Sequence, residues 1–355
     1  MSIHHKIKVM DKRYQIFGAT PSPYTQKMIS LMRFKRISFD VHFGDVASLL
    51  KERNITPPKP ILLPVMLLED DSGNNVATTD STPIIRTLEK KHPERSVLPQ
   101  NQALNFINYL LEDFGDEWLT KYMFHYRWHF ESDADKAGTI LPLVNSQVNL
   151  SDEILQEAKE FISQRQIERL WVVGSNEDTA KIIDSSFKKF ITLFNLHLEN
   201  NPFLLGNLPT SSDFAFYGQL SQLIGFEPTS RAIAHDLAIR VIAWHDLMND
   251  LSGLDVHQNS LNVLEDCPDS LKQIFNQVGK FYIPALLANA KAIKDGKESW
   301  ETEIDGSLWK QKSFPYQAKC LTWIKDEFNS LNDDDKKRVL DFLDGTDCEK
   351  LFFNS

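Results

Sequence analysis

The stretch YQIFGATPSPYTQKM, residues 14–28, decides the fold of this chain. A short apolar strand runs into a Ser-Pro-Tyr turn, and the turn opens onto a helix whose first residue is Pro23. A helix start presents unpaired backbone N–H groups and the positive end of the helix dipole. Because the Ser22 hydroxyl lies at this start, we predict that the turn holds an anion, and a thiolate suits such a site.

Composition narrows the class of partner. The 355 residues carry a formal net charge of −10, which argues against nucleic acid and against an anionic membrane surface. The cysteines Cys267, Cys320 and Cys348 form no CxxC pair, so neither a disulfide framework nor a zinc site is predicted. We expect no metal and a reducing, cytoplasmic location.

Targeting and membrane segments are not indicated. The longest apolar stretch, residues 282–293, is too short to span a bilayer and contains Lys291. The first 14 residues include basic side chains but no apolar run of signal-peptide length. We therefore expect no membrane association.

The first 95 residues alternate between strand and helix patterns. Their order is strand, helix, strand, helix, strand, strand, helix, which predicts a small α/β sandwich in which a βαβ unit meets a hairpin. Ser81 is placed as the cap of the last helix. The predicted strands are residues 13–17, 37–43, 61–68 and 76–78, and the predicted helices are 23–34, 46–53 and 81–92.

Helical spacing dominates the rest of the chain. We predict one long helix over residues 104–130, an irregular excursion over 131–151 because Gly138 and Pro142 interrupt it, and a helical bundle thereafter. The tail is predicted to pack, because tryptophans are spread along it, and to be helical at 270–295, 315–330 and 334–343. The bundle helices are predicted at 155–170, 182–198, 208–223 and 232–251.

Two positions in the first domain admit both a structural and a functional interpretation. Pro64 interrupts an apolar strand, so it marks either an ordinary edge strand or a cis bond that turns the backbone of Leu63 or Val65 towards a peptide-like ligand. Asp80 and Ser81 either cap a helix or hold the two charges of an amino-acid zwitterion. A third motif, Thr210–Asp213, reads as a capping box with a structural role.

Taken together, IFGATPSPYTQKM, LLPVM, TDS and PTSSDFAFYGQL make the first 255 residues resemble the glutathione transferase superfamily. The resemblance implies an α/β thioredoxin-like N-terminal domain, residues 1–95, that binds glutathione. It further implies an all-α helical bundle, residues 101–257, and the chain adds a helical C-terminal extension, residues 258–355. A homodimer is also implied.

The same resemblance implies the site. Ser22 matches the serine that hydrogen-bonds the glutathione sulfur in serine-type members, where cysteine-type members have Cys. Leu63, with Pro64 and Val65, matches the cis-proline segment that pairs with the cysteinyl backbone, and Asp80 and Ser81 match the pair that receives the γ-glutamyl group. Competing hydroxyl donors are Thr20 and, less favoured, Tyr24 and Tyr14.

The predicted function is a transferase that adds the glutathione thiolate to a small hydrophobic electrophile, with glutathione as co-substrate and no other cofactor. The alternatives are a glutathione-binding or scaffold protein with little turnover and a glutathione-dependent isomerase or dehalogenase. In the family, the helix equivalent to residues 112–130 lines the electrophile pocket. For most of these residues we favour the alternative that the apolar ones pack in the core and the charged ones face solvent. The pocket candidates are Asp113, Glu117, Tyr122, His125, Tyr126 and Trp128.

Overall fold

A computed structural model describes residues 13–70, 72–145, 148–257 and 260–353. The N-terminal segment, for which we predict no signal peptide, lies almost wholly outside these residues. Within the described ranges, no helix is long and apolar enough to cross a membrane.

The N-terminal domain is a four-stranded sheet flanked by helices, as the alternating pattern predicts. The strand order is β2-β1-β3-β4, with β1 parallel to β2 and antiparallel to β3, and with β3 antiparallel to β4. This is the thioredoxin-like arrangement that the sequence predicts. Its elements are β1 (Tyr14–Gly18), α1 (Pro23–Lys35), β2 (Phe39–Phe43), α2 (Val46–Glu52), β3 (Val65–Glu69), β4 (Asn75–Thr78) and α3 (Ser81–Lys91).

Alternation along β1 distributes its side chains between two cores. Ile16 packs into the main core together with residues of α1 and α3, whereas its neighbour Phe17 packs into a smaller core with Val46 and Leu50 of α2. Successive side chains of a strand point to opposite faces, so one strand serves both layers. The sheet is therefore covered on both sides.

Two details of this domain differ from the predictions. The third strand begins at Val65 rather than at residue 61, because Pro64 lacks the N–H that a ladder needs. Asp80, rather than Ser81, caps α3: its carboxylate accepts a hydrogen bond from the Thr82 N–H at 3.2 Å. Ser81 is the first helical residue.

A helical bundle follows the sheet domain. The predicted long helix over 104–130 is wrong, because two helices meet there at Trp118. The predicted helix over 232–251 is likewise two helices, divided at Ala238. The bundle consists of α4 (Gln102–Glu117), α5 (Leu119–His129), α6 (Glu131–Asn145), α7 (Asp152–Ile167), α8 (Ala180–His197), α9 (Ser211–Leu223), α10 (Pro228–Leu237) and α11 (Ile239–Met248).

The expected irregular excursion is also wrong, since most of it forms α6. Ala134, Ala137 and Leu141 recur at helical spacing and pack against Trp128 in a small core of their own. Gly138 belongs to the same helix, and a Cβ there would lie 2.2 Å from the Ser163 hydroxyl of α7. The glycine that suggested a break therefore permits close packing of two helices.

The C-terminal extension packs onto the bundle and contains a hairpin that the predictions missed. Strands β5 (Ser299–Ile304) and β6 (Ser307–Lys312) are joined by Asp305 and Gly306, which both have positive φ. All three helices predicted for the extension are present near their predicted positions. The first of them, predicted over 270–295, consists of two helices joined by a π-helical turn, Val278–Tyr282. The helices are α12 (Asp269–Gln277), α13 (Ile283–Lys294), α14 (Pro315–Asn329), α15 (Asp333–Leu343) and α16 (Lys350–Phe353).

Candidate functional site

The turn between β1 and α1 is held from several sides. The Ser22 N–H donates to the Ala19 carbonyl at 3.0 Å, and the Ser22 hydroxyl oxygen accepts the Thr25 N–H at 3.2 Å. Ser22 is therefore the N-cap of α1, and Pro23 is its first residue, as the sequence predicts. The hydroxyl hydrogen of Ser22 has no acceptor among the described residues, and the residue is 8% exposed.

Helix α9 fixes the position of this helix start. Gly218 of α9 lies against α1 so closely that a Cβ there would be 2.6 Å from the Pro23 carbonyl oxygen. Gln222, one turn further along α9, donates to the Thr20 carbonyl at 3.4 Å. The Thr210–Asp213 capping box at the start of α9 is present as predicted, and it anchors the helix that holds the turn.

The peptide bond between Leu63 and Pro64 is cis. Of the two interpretations of Pro64, this geometry agrees with the functional one. The preceding residue, Leu62, exchanges hydrogen bonds with the Thr79 hydroxyl, at 3.1 Å to its N–H and 2.6 Å to its carbonyl. Within the described ranges, the backbone N–H and carbonyl of Leu63 have no hydrogen-bond partner. They remain available to an extended, peptide-like ligand.

Asp80 and Ser81 lie beside this segment, but both already have partners. Asp80 has φ 76° and accepts a hydrogen bond at 2.8 Å from the Tyr316 hydroxyl of α14 in the extension. Ser81 is buried and accepts one at 3.0 Å from the ammonium of Lys27. The predicted γ-glutamyl receptors are therefore joined to two residues that the sequence reasoning did not single out.

Lys27 is a residue of the candidate site that the sequence analysis missed. It is 1% exposed and forms ion pairs with Glu112 at 2.8 Å and with Asp116 at 2.7 Å. Burial lowers the pKa of Lys27, but the two carboxylates outweigh that effect and raise it above its usual range. Lys27 lies five residues after Ser22 and directly before residues 28–32, of which only one, a serine, is polar, and this position was the signal available in the sequence.

A cavity of about 1030 Å³ joins these groups to the extension. Leu63, Asp80 and Ser81 line one part of it, and α4, α5 and α14 line most of the remainder, to which α3 adds Arg86 and the segment after α7 adds Arg169. Ser22, Pro64 and Val65 do not line it, whereas Tyr24 does. From the bundle it receives Tyr109, Glu112, Asp113, Asp116, Glu117, Thr120, Lys121 and Phe124, and from the extension Phe314, Tyr316, Gln317, Cys320, Trp323, Asp326, Glu327 and Ser330.

Two of the predicted pocket residues, Asp113 and Glu117, line this cavity. Burial, with the charge of neighbouring carboxylates, raises the pKa of Asp113 to about 7 and that of Glu117 to about 8. Burial also raises the pKa of Asp116 to about 7, although the Lys27 ammonium opposes the shift. Burial lowers the pKa of Lys121 to about 8.

The other aromatic and histidine candidates lie elsewhere in the bundle. Tyr122 accepts a hydrogen bond from the Trp118 indole at 2.8 Å, and Tyr126 donates to Asp184 at 2.6 Å. His125 is fully buried beside the Ser175 hydroxyl, and burial lowers its pKa to about 3. Together with Trp128, which packs against α6, they are core residues of α5 and do not line the cavity.

The competing hydroxyl donors differ in what they contact. Tyr24 donates its hydroxyl hydrogen to the Asp116 carbonyl at 2.8 Å, and burial raises its pKa well above the usual range. Tyr14 contacts His92 at 2.8 Å, away from the turn. Cys320 is buried, and burial raises the pKa of its thiol, as expected for an inert cysteine. Among the described residues, no cluster of potential ligands is suited to a metal ion.

Comparison with known proteins identifies the N-terminal domain. Residues 16–96 match the family model described as "Glutathione S-transferase, N-terminal domain", and this part of the chain belongs to the glutathione S-transferase superfamily. A comparison with curated proteins finds no match.

Several solved structures are similar to the chain at low identity. A glutathione transferase family member from Pseudomonas fluorescens, with two glutathione bound, is 17% identical over 67% of this chain and 88% of its own, with a TM-score of 0.39. A glutathione S-transferase from Rhodospirillum rubrum is 17% identical over 66% and 86%, with a TM-score of 0.41. One from Methylobacterium radiotolerans, in complex with glutathione sulfonate, is 20% identical over 64% and 92%, with a TM-score of 0.33.

Proposed function

We propose that the protein is a glutathione-dependent transferase that adds the thiolate of glutathione to a small hydrophobic electrophile. The observation that carries the proposal is the unpaired backbone of Leu63, before a cis proline, in one cavity with Asp80 and Ser81. An extended tripeptide has both backbone partners and charge partners there. The family of the N-terminal domain supports the choice of glutathione as that tripeptide.

In the proposed mechanism, Ser22 stabilises the thiolate. A free thiol has a pKa of about 8.5, so only a few per cent is ionised at neutral pH. The Ser22 hydroxyl, whose oxygen is already fixed by the Thr25 N–H, donates its hydrogen to the sulfur, and the N-terminus of α1 adds its positive dipole. A charge-assisted hydrogen bond of about 1.5–3 kcal/mol lowers the thiol pKa by one to two units.

The transfer step needs no group beyond the two substrates. The thiol proton leaves to solvent, and the thiolate electron pair forms the carbon–sulfur bond. In a substitution, the leaving group departs with the electrons of its own bond; in an addition to an epoxide, the ring oxygen takes those electrons and then a proton. The cavity between α4, α5 and α14 provides the space for the electrophile.

The test is the rate of conjugation of an aryl halide or epoxide by the wild type and by Ser22→Ala. We expect kcat/KM to fall by about tenfold or more, because about one hydrogen bond to the thiolate is lost. Thr20→Val is the matched control, since it removes the other candidate hydroxyl of the turn. An unchanged rate in Ser22→Ala would remove Ser22 from the mechanism, and a loss confined to Thr20→Val would transfer the role.

A second candidate is a glutathione-binding protein with little turnover. This candidate is favoured by the burial of Ser22. It is also favoured because Asp80 already accepts a hydrogen bond from Tyr316, and Ser81 one from Lys27. Retention on immobilised glutathione without conjugation of any electrophile in a panel would support it. A glutathione-dependent isomerase or dehalogenase uses the same thiolate, so product analysis distinguishes it from a transferase.

A further inference from the structure

The face of α4 that lines the cavity is strongly acidic. Glu112, Asp113, Asp116 and Glu117 are spaced so that they share one side of the helix, and all four line the cavity. The rest of the cavity lining adds three carboxylates, those of Asp80, Asp326 and Glu327, and two guanidinium groups, those of Arg86 and Arg169. A neutral electrophile gains no ion pair from this concentration of carboxyl groups.

Protein groups satisfy these carboxylates only in part, although Arg86 lies in the same cavity wall and Asp113 accepts a hydrogen bond from the Tyr282 hydroxyl. One oxygen each of Glu112 and Asp116, Oε2 and Oδ1, is buried and has no hydrogen-bond partner among the described residues. Lys27 supplies a single positive charge to that pair. Lys121, one turn beyond Glu117, donates instead to the Val173 carbonyl and to the Gln311 side chain, each at 3.3 Å.

The other walls of the cavity are aromatic. Tyr109 and Phe124 come from the bundle, and Tyr316 and Trp323 come from the extension. Aromatic faces attract an ammonium group and also pack against the apolar body that carries it. Carboxylates and aromatic rings together are the surroundings that an organic cation prefers.

We propose that the cavity binds an organic cation, a protonated amine carried on an aromatic or alkyl body, with its ammonium at Asp113, Asp116 and Glu117. The body lies against the aromatic walls that α14 contributes. Resting on the proposed function, this assigns the second substrate of the transferase to amine-bearing electrophiles. The binding of the cation itself does not depend on glutathione.

Loss of protons from the acidic face accompanies this binding. The raised pKa values of Asp113, about 7, and Glu117, about 8, mean that Asp113 is about half protonated and Glu117 mostly protonated near neutrality when the cavity is empty. A bound ammonium favours the ionised form, so binding releases protons and strengthens as the pH rises from about 6 to about 8.5. The titratable or charged groups around this pair are Tyr24, Lys27, Asp80, Arg86, Tyr109, Glu112, Asp116, Lys121, Tyr282, Tyr316 and Cys320.

The direct test is calorimetric titration of the full chain, without glutathione, with three ligands of one shape. The probes are 4-phenylbutylamine, its neutral alcohol analogue 4-phenylbutanol and the anion 4-phenylbutanoate. We expect the amine to bind about tenfold tighter than the alcohol, because it forms charge-assisted hydrogen bonds, and the anion to bind more weakly than either. Equal affinity for the amine and the alcohol would overturn the proposal.

Variants locate the ammonium. Glu117→Gln and Asp113→Asn keep the shape of the side chain and remove its charge, so each is expected to weaken the amine about fivefold and leave the alcohol unchanged. Glu303→Gln, on the exposed strand β5, is the matched control and should change neither. If both cavity variants, shown to be folded by circular dichroism, bound the amine like the wild type, the assigned position would be wrong.

The same titrations with glutathione separate this proposal from the proposed function. If the wild type bound the amine but not glutathione, the cation site would stand and the proposed transferase function would be refuted. A wild type that binds glutathione but does not prefer the amine to the alcohol would refute the cation site alone.

Discussion

At the scale of single residues, Lys27 connects the two domains electrostatically. It lies on α1 of the sheet domain, yet its ion-pair partners Glu112 and Asp116 lie on α4 of the bundle. Its third partner, Ser81, begins α3. One ammonium therefore joins three helices at the edge of the cavity, and its loss would leave two buried carboxylates without a counter-ion.

We expect Lys27→Met to lower the free energy of unfolding by about 3–5 kcal/mol near neutral pH, because breaking a buried pair strands the opposite charges. The loss should shrink towards about pH 5, where the stranded carboxylates take up protons. Urea denaturation at both pH values measures this. Lys291→Met removes an exposed lysine paired with Asp295 and serves as the control, expected to have little effect.

Glu117 gives a second residue-scale prediction. Its pKa is about 8 in the folded protein, above the ordinary carboxyl value, so folding takes up a proton over the window between the two. Stability is therefore full below the unfolded pKa and falls as the pH rises through about 8. We expect Glu117→Gln to raise the unfolding midpoint by a few degrees at about pH 8.5 and to leave it unchanged at about pH 5.

Thermal unfolding followed by circular dichroism checks this prediction, with Glu303→Gln as the control. Lys121, whose pKa is lowered to about 8, begins to titrate at the upper end of this window, so the comparison at about pH 5 is free of its contribution. A midpoint that rises equally at both pH values in Glu117→Gln would contradict the assigned pKa.

At the scale of elements, the hairpin β5–β6 depends on its turn. Asp305 and Gly306 have φ of 53° and 71°, the left-handed conformation that a two-residue hairpin turn requires. Trp309 on β6 is fully buried and lies against Trp118, with ring centroids 5.4 Å apart. The turn therefore sets the register by which the extension is anchored to the bundle.

We expect Gly306→Val to destabilise the protein by about 1–2 kcal/mol, because a β-branched residue resists positive φ. Gly306→Asn should cost less, since asparagine tolerates that conformation. Chemical denaturation of both variants measures the difference. Equal stability of Gly306→Val and the wild type would mean that the turn does not hold the hairpin.

The sequence predicts elements well where the pattern is local and poorly where tertiary packing decides. The strand–turn–helix at Ser22 and the capping box at Thr210 are local, and both are present. The hairpin also had a local signal, Asp-Gly between alternating residues, which the helical reading of the extension overlooked. The break at Trp118 has none, because it depends on side chains packed around the indole.

The candidate site shows the same division. The family resemblance pointed to Leu63, Asp80 and Ser81 and to Asp113 and Glu117, and these residues line two walls of one cavity. Tyr316 lies 236 residues from Asp80 in the sequence, so no local pattern predicts their hydrogen bond. Lys27 was missed because a lysine in a helix is ordinarily an exposed residue.

At the scale of the whole molecule, the extension completes the cavity. Without α14, the space beside Asp80 would lose Tyr316, Gln317, Cys320 and Trp323 from its wall. The extension therefore contributes to ligand selection in the proposed function. The domain limits 1–95, 101–257 and 258–355 stay predictions, as does the homodimer, which analytical ultracentrifugation of the full chain measures.

In the proposed function, the turn at Ser22 stabilises the thiolate of bound glutathione. Ultraviolet thiolate absorbance of the glutathione complex, titrated with pH, measures the thiol pKa directly in the wild type and in Ser22→Ala. We expect the bound thiol pKa to lie at least about one unit below 8.5 in the wild type and to return towards 8.5 in the variant. A bound thiol that titrates near 8.5 in both proteins would contradict the account.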